Sequence, residues 1–305
     1  HPRRRGLGFF AFARRPAERY NLRLYAFLKE FPMAASPLRV TVWHEYRHDN
    51  PDSKNPSAES MKLYPDGMHA AMKSAIEEHL GADVIVTTAT LDQDDDHGLS
   101  DELLANTDVM TWWGHCAHGD VKDEWADKVA QRVRQGMGLV VLHSGHFAKV
   151  FKQLMGTPCA LTWREAGERE RLWVTAPGHP ITAGLPPHFE LEHEEMYGEP
   201  FCIPDPMETV LIGWFPGGEV FRSGVTFRRG AGRIFYFQPG HETYPTYHNE
   251  NIRMILRNAA FWAASDQGQA THDVTDAPNR PVDQALEPLE ARGPSLHKAG
   301  EKGFR

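Results

Sequence analysis

Short apolar runs alternate with helix-period segments through the first half of the chain. Strands are predicted at 39–43, 84–88, 109–113 and 139–142. Between the first two, Met68, Met72, Ala75, Ile76 and Leu80 fall on one face of a helix spanning 66–80, with Asp66 as its N-cap and Gly81 as its stop. Further helices are predicted over 100–106, 123–134 and 147–155. Strands that are apolar on both faces, separated by amphipathic helices, suit a parallel sheet covered on each side.

From residue 171 the pattern changes. Strands at 171–174, 189–192, 209–214, 220–227 and 233–237 are separated by turns alone, and Arg229-Gly-Ala-Gly-Arg233 has the composition of a hairpin turn. A last helix over 249–264 carries Ile252, Ile255, Leu256, Ala259 and Trp262 at helical spacing. The expected fold class is α/β, a mostly parallel sheet extended by antiparallel strands in the second half.

The ends differ from this body. Residues 1–38 are expected to be a non-native or disordered leader. They are Arg-rich, and Met33-Ala-Ala-Ser-Pro37 stands directly before the first strand. The apolar patch Leu7-Gly-Phe-Phe-Ala-Phe-Ala13 is followed by no small-residue cleavage site, so a secretory signal is not expected. Residues 265–305 are polar and proline-containing and are expected to form a flexible tail, leaving 39–264 as the folded domain. With 305 residues, 41% of them apolar, one main domain has ample material for a core.

Charge narrows the partners. The net charge is −8 and no basic stripe runs through the middle, so neither a nucleic acid nor an anionic membrane surface is expected. A small polar molecule fits better, and a homo-oligomer stays open. Cys116, Cys159 and Cys202 form no C-x-x-C pair and read as reduced thiols of a cytoplasmic protein. No apolar run reaches the roughly 18 residues of a membrane span.

The chemistry-bearing residues gather where strands run out. His44, His115, His143 and His241 follow predicted strands, and His193 sits within Leu191-Glu-His-Glu-Glu195. Ligands of open α/β sheets bind outside the carboxyl ends of strands, so five such histidines point to one crevice. Each alone would read as a hydrogen-bonded structural residue. Around them lie Glu45, Asp49, His118, Ser144, His146, Glu194, Glu195, Tyr197, Glu242, Tyr244 and His248. Imidazoles beside carboxylates serve as acid/base pairs or as ligands of a divalent metal such as zinc or manganese. No H-E-x-x-H motif decides between them, and His44-Glu-Tyr-Arg-His48 is expected in a loop. Trp43, Trp112, Trp113 and Trp214 offer stacking faces for a sugar, against plain core packing. His69, His79, His179, His188 and His297 read as solvated. Gly136-Met-Gly138 lacks the rest of a dinucleotide fingerprint and no P-loop motif occurs, so no nucleotide cofactor is expected.

Seven blocks in order carry a resemblance. They are Val42-Trp-His-Glu-Tyr46, Tyr64-Pro-Asp-Gly-Met-His69, Thr111-Trp-Trp-Gly-His115, Gly138-Leu-Val-Val-Leu-His-Ser-Gly-His146, Trp163-Arg-Glu-Ala-Gly167, Glu192-His-Glu-Glu-Met-Tyr-Gly-Glu-Pro200 and Gln238-Pro-Gly-His-Glu-Thr-Tyr-Pro-Thr-Tyr-His248. Across 39–264 the chain resembles the ThuA-like trehalose utilisation family. The resemblance implies a flavodoxin-like, class I glutamine amidotransferase-like three-layer sandwich. It also implies a link to uptake and oxidation of trehalose and related disaccharides through 3-keto forms. In the amidotransferases an elbow presents a cysteine and a later strand supplies a histidine base. Here His143 stands where that cysteine would, His241 looks like the base, and Ser144 is one residue off, so a thioester glutaminase is not expected.

A ketone at C3 of a sugar acidifies its C2 proton, and the histidine-rich crevice suits that enolisation. The leading expectation is an enzyme that cleaves or isomerises 3-keto-glycosides. His143, His241, Glu194 and Glu195 are its acid/base candidates. His44, His115 and His193 are candidate metal ligands. Trp43, Trp113, Ser144, His146, Tyr197, Glu242 and Tyr244 are candidate substrate contacts. A metal-dependent hydrolase of another small polar substrate and a non-catalytic sugar-binding module are the alternatives.

Overall fold

The computed structural model describes residues 37–78, 83–264 and 285–289. The described strands are β1 (Leu38–His44), β2 (Val84–Thr90), β3 (Val109–Trp113), β4 (Gly138–Leu142), β5 (Thr162–Val174), β6 (His188–Gly198), β7 (Glu208–Trp214), β8 (Val220–Arg229) and β9 (Gly232–Phe237). The helices are α1 (Ala58–Leu63), α2 (Met68–Glu77), α3 (Asp101–Ala105), α4 (Asp123–Gln135), α5 (Lys149–Met155) and α6 (Glu250–Ala264).

All nine strands join one sheet in the order β2-β1-β3-β4-β9-β8-β7-β5-β6. The ladders from β2 to β9 are parallel, and those from β9 to β6 are antiparallel. The sheet is therefore not mostly parallel, as the sequence led us to expect. The two kinds of pairing share it equally, because β9 is the last strand to pair in parallel and β8, β7, β5 and β6 are added beyond it by antiparallel ladders. The parallel strands follow the 2-1-3-4-5 order of doubly wound sheets, whose switch point here lies between β1 and β3.

Strand alternation divides the core in two. Val140 and Leu142 of β4 pack in a cluster with Met68, Met72 and Ile76 of α2 and Ile252, Ile255 and Leu256 of α6. Leu139 and Val141 point the other way, into a cluster with Val129 and Val133 of α4 and Phe151 and Leu154 of α5. Every residue of β3 and β4 is buried, which explains their unbroken apolar runs.

Several local expectations change. The N-cap of α2 is Gly67, with φ +85°, and not Asp66; His79, Leu80 and Gly81 lie outside the described residues. The helix α1 was not anticipated, and Ser57 caps it by accepting from the Ser60 N–H. The first half of β5 was missed because it is exposed and polar; antiparallel pairing with β6, Thr162 opposite Gly198, carries it. The hairpin forms as expected, with Gly230 at φ +60° between the paired Arg229 and Gly232. His179 is buried, not solvated, and caps the turn Pro180–Thr182 by accepting from the Ile181 N–H. Residues 271–305 form a separate unit, of which 285–289 are described as an exposed bend. The leader expected at 1–38 and the rest of the tail at 265–305 fall almost wholly outside the described residues.

Candidate active site

The C-terminal ends of β1, β3, β4 and β9 lie side by side in register. After Leu142 the chain turns sharply into the 3-10 segment His143–Phe147. His143 takes φ +50°, a conformation that side chains rarely adopt. Gly145 is needed because a Cβ there would sit 3.0 Å from the Trp112 carbonyl oxygen. Two hydroxyls fix the elbow: Ser144 Oγ donates to the Gly114 carbonyl at 2.8 Å, and Tyr236 donates to the His143 carbonyl at 3.1 Å. A residue held in a strained turn at a strand end is a functional candidate on geometry alone.

His143 is fully buried, and its Nδ1 lies 2.8 Å from the Gln238 carbonyl oxygen. A carbonyl only accepts, so Nδ1 carries the proton and Nε2 presents a lone pair. Burial, and then the neighbouring His115, push its pKa down to about 3, so the ring is neutral near pH 7. Nε2 lies 3.1 Å from Glu195 Oε2 and 3.4 Å from the Tyr197 hydroxyl, and the Tyr197 ring stacks on the imidazole. The approach to Oε2 is not aligned as a hydrogen bond, and that oxygen has no other partner among the described residues. Burial pushes the Glu195 pKa up, against His241 and His115, which pull it down. Glu195 and the Nε2 lone pair of His143 thus face each other at proton-transfer distance, with the Tyr197 hydroxyl beside them.

The adjacent β6 carboxyl has another job. Glu194 is fully buried and accepts from the N–H groups of Glu195, Gly240 and His241 and from the Thr246 hydroxyl. Burial lifts its pKa to about 7 despite these four donors. It holds the loop after β9, in which Gly240 takes φ +141° and a Cβ would collide with the Tyr247 hydroxyl. His241 is thereby placed with its ring centroid 5.4 Å from that of His143. Its Nδ1 accepts from the Thr243 N–H at 3.3 Å, so Nε2 bears the proton and faces Glu165 of β5 at 3.6 Å. Burial, then His143, hold the His241 pKa down to about 3.

At the rim the loop after β1 meets those after β3 and β9. Glu45 accepts from the N–H groups of His115, Cys116 and Ala117. Burial pushes its pKa up, but these bonds outweigh burial and keep it below the usual carboxylate range. The Cys116 side chain is exposed, but its thiol donates to that carboxylate at 3.3 Å, and partial desolvation with the Glu45 charge pushes its pKa up to about 12. His48 Nε2 lies 3.1 Å from His115 Nδ1, and Glu242 Oε1 is 3.5 Å from the first and 3.6 Å from the second. A second group, His44, Asp49 and His69, converges behind Trp113. His69 is therefore half-buried with its Nδ1 turned inward, and is not a plain surface residue.

His143, His241, His115, Glu195, Tyr197 and Glu242 thus gather as the sequence suggested, with Ser144, Glu194 and Tyr244 against them, while the remaining candidates lie apart. His44 is fully buried and stacks on Trp113, whose indole separates it from His115. His193 is exposed on β6, its Nδ1 on the Gly167 carbonyl. The three expected metal ligands therefore do not meet at one point. Trp43 stacks on Trp112 at 3.8 Å inside the core, and Trp113 donates to the Gly240 carbonyl from full burial, so neither offers a face to a sugar. His146 is buried against Tyr197, Phe201 and Tyr236. Tyr244 stands half-buried 5.2 Å from the His241 ring. The sequence reading gave no site role to His48 or Glu165; the i, i+4 histidine pair and the Trp163-Arg-Glu-Ala-Gly167 block were the signals available.

The trehalose utilisation family, ThuA, matches residues 39–263. The chain belongs to that family. The ThuA span holds every residue of the crevice from His44 to Tyr244. Two solved structures share the ThuA fold with this chain. A putative ThuA-like protein from Parabacteroides merdae is 16% identical, with a TM-score of 0.55, covering 79% of this chain and 94% of its own. Another from Bacteroides uniformis is 15% identical, with a TM-score of 0.54, covering 76% and 94%. No curated protein matches the chain. Among the described residues, no helix is long and apolar enough to cross a membrane.

Proposed function

We propose that this ThuA chain is an enzyme that processes 3-keto-glycosides by enolisation. The observation that carries the reading is the His143 Nε2 lone pair facing Glu195 at 3.1 Å, at a strained elbow and beside His241. Family membership supplies the substrate class, since trehalose utilisation through 3-keto forms presents such sugars. Abstraction of the C2 proton by Glu195, which the His143 Nε2 lone pair backs, leaves its electron pair as an enediolate, with the charge on the C3 oxygen. Reforming the C3 carbonyl then expels the C1 glycosidic oxygen, which takes a proton from an acid in the crevice. Water then adds its hydroxyl to C1 while a proton returns to C2, completing hydrolysis; alternatively the enediolate, before expulsion, takes a proton at C3 as its C2 hydroxyl loses one, giving the 2-keto isomer. Each positioned acid or base supplies about 10² to 10⁴ in rate.

Within this scheme the His143 Nε2 lone pair takes the proton on from Glu195, and His241 offers its Nε2–H to a developing oxyanion. Glu194 is a positioning residue, since both its oxygens are occupied by the loop it holds. The elbow also supports the amidotransferase-like reading of the scaffold, without its thiolate chemistry.

The test is incubation of the full chain with 3-keto-trehalose in D₂O, with and without zinc or manganese, followed by NMR beside a trehalose control. Deuterium at C2, or glucose released from the keto-sugar alone, is the expected result. An unchanged spectrum under every condition overturns the reading.

A further inference from the structure

Three ligand-type atoms from three loops converge at the crevice rim. His48 Nε2, His115 Nδ1 and Glu242 Oε1 are separated by 3.1, 3.5 and 3.6 Å. A tetrahedral zinc ion with bonds of about 2.0–2.1 Å sets its ligand atoms about 3.3–3.4 Å apart, so the triangle has the size of one face of such a site. Hydrogen bonding does not account for it. A proton can join His48 to His115 at 3.1 Å, but Glu242 then stands too far from both for a good hydrogen bond. The Glu242 side chain is only 5% exposed, and its Oε2 finds no hydrogen-bond partner among the described residues. A buried carboxylate in that position calls for a cation.

The frame around the triangle is fixed. Glu45 holds the His115 backbone through its N–H. The His48 carbonyl accepts from the Ser57 N–H at the start of α1. Glu194 anchors Gly240 and His241 immediately before Glu242. We propose that His48, His115 and Glu242 form a three-ligand site for a zinc-type divalent cation, at the mouth of the crevice that holds His143 and His241. Two imidazoles and one carboxylate are a donor set suited to zinc, and three protein ligands leave a position open to water or a substrate oxygen. The site differs from the one expected from the sequence, of which only His115 belongs to it. It does not rest on the keto-glycoside reading, because metal occupancy is measured without any sugar.

The test uses the full chain stripped with a chelator and titrated with Zn²⁺ by calorimetry. One ion per chain is expected. His48→Ala and Glu242→Gln should each weaken binding by about 100-fold or more, since even outer-shell changes cost 10–100-fold. His69→Ala, in the buried group with His44 and Asp49, should leave the affinity unchanged. Cobalt(II) should give tetrahedral visible bands that His48→Ala removes. His48 is partly exposed, so its variant stays informative if Glu242→Gln fails to fold. No zinc uptake, full affinity in His48→Ala, or loss of binding in His69→Ala instead would overturn the site.

Discussion

The parallel and antiparallel halves of the sheet contribute to the crevice in different ways. The parallel half offers its chemistry after strands end: His48 beyond β1, His115 after β3, His143 after β4 and Glu242 after β9. The antiparallel half offers side chains from within strands, Glu194, Glu195 and Tyr197 of β6 and Glu165 of β5. Loops at parallel strand ends converge because the switch point splays neighbouring connections apart. A strand interior reaches the same place only because β6 is long enough to bring its C-terminal half beside the elbow. The crevice is therefore a seam, one wall of loop imidazoles and one wall of strand carboxylates.

The largest effect should come from cutting the pair that crosses the seam. His143→Asn suits the positive φ, which asparagine tolerates, and removes the Nε2 lone pair. Turnover of the keto-sugar should fall about 10²- to 10⁴-fold with the thermal midpoint nearly unchanged. Glu195→Gln should fall comparably, because it removes the carboxylate that faces the His143 Nε2 lone pair. A silent His143→Asn beside a dead Glu195→Gln would move the chemistry wholly onto the antiparallel wall. Steady-state rates with melting curves of both variants decide this.

The two halves also differed in how much of them could be read beforehand. The apolar β3 and β4, buried on both faces, announce themselves, and their exits mark His115 and His143 without any structure. The first half of β5 has no apolar alternation, so Glu165 was invisible as a site residue. His193 and Glu195 lie two residues apart on β6 and so share a face in a regular strand, yet His193 is exposed and Glu195 buried. A register shift between Glu168 and Glu170 of β5, opposite this stretch, breaks the simple alternation, and no sequence pattern encodes it. The sequence likewise showed which histidines end strands, but not that Trp113 stands between His44 and His115.

A smaller effect separates two fully buried acids of the antiparallel half, Glu194 and Glu170. Glu194 has four donors, whereas Glu170 has the Ser223 hydroxyl at 3.1 Å and no partner for Oε2 among the described residues. Burial, and then the charge of Glu194, raise the Glu170 pKa well above its usual value, against that one hydroxyl. A carboxyl whose folded pKa is raised stabilises fully below its unfolded value, near 4.5, and that contribution is lost as pH rises toward the folded value. Glu170→Gln keeps the shape and cannot ionise. It should leave stability unchanged near pH 4.5 and raise it at pH 8 by about 1–3 kcal/mol, the usual scale for an uncompensated buried polar group. Denaturant melts across that range check the sign, and a variant less stable at pH 8 would show that Glu170 is held ionised.

The smallest effect is the sharpest boundary of the seam. His193 was a sequence candidate for metal binding, yet its side chain is 55% exposed and its nearest carboxylate oxygen is on the flanking Glu192 at 3.8 Å. Its one described hydrogen-bond partner, the Gly167 carbonyl, belongs to the neighbouring β5 backbone. Exposed substitutions of this kind stay within about 0.5 kcal/mol. His193→Ala should therefore change stability by no more than that, leave zinc affinity intact and alter turnover by less than about twofold, ~0.4 kcal/mol in the barrier. A larger drop in turnover with stability unchanged would mean that substrate reaches beyond the seam onto the outer face of β6. In that case Tyr244, whose ring lies between those of His241 and His193 at 5.2 and 6.3 Å, would be the bridge by which the crevice extends there.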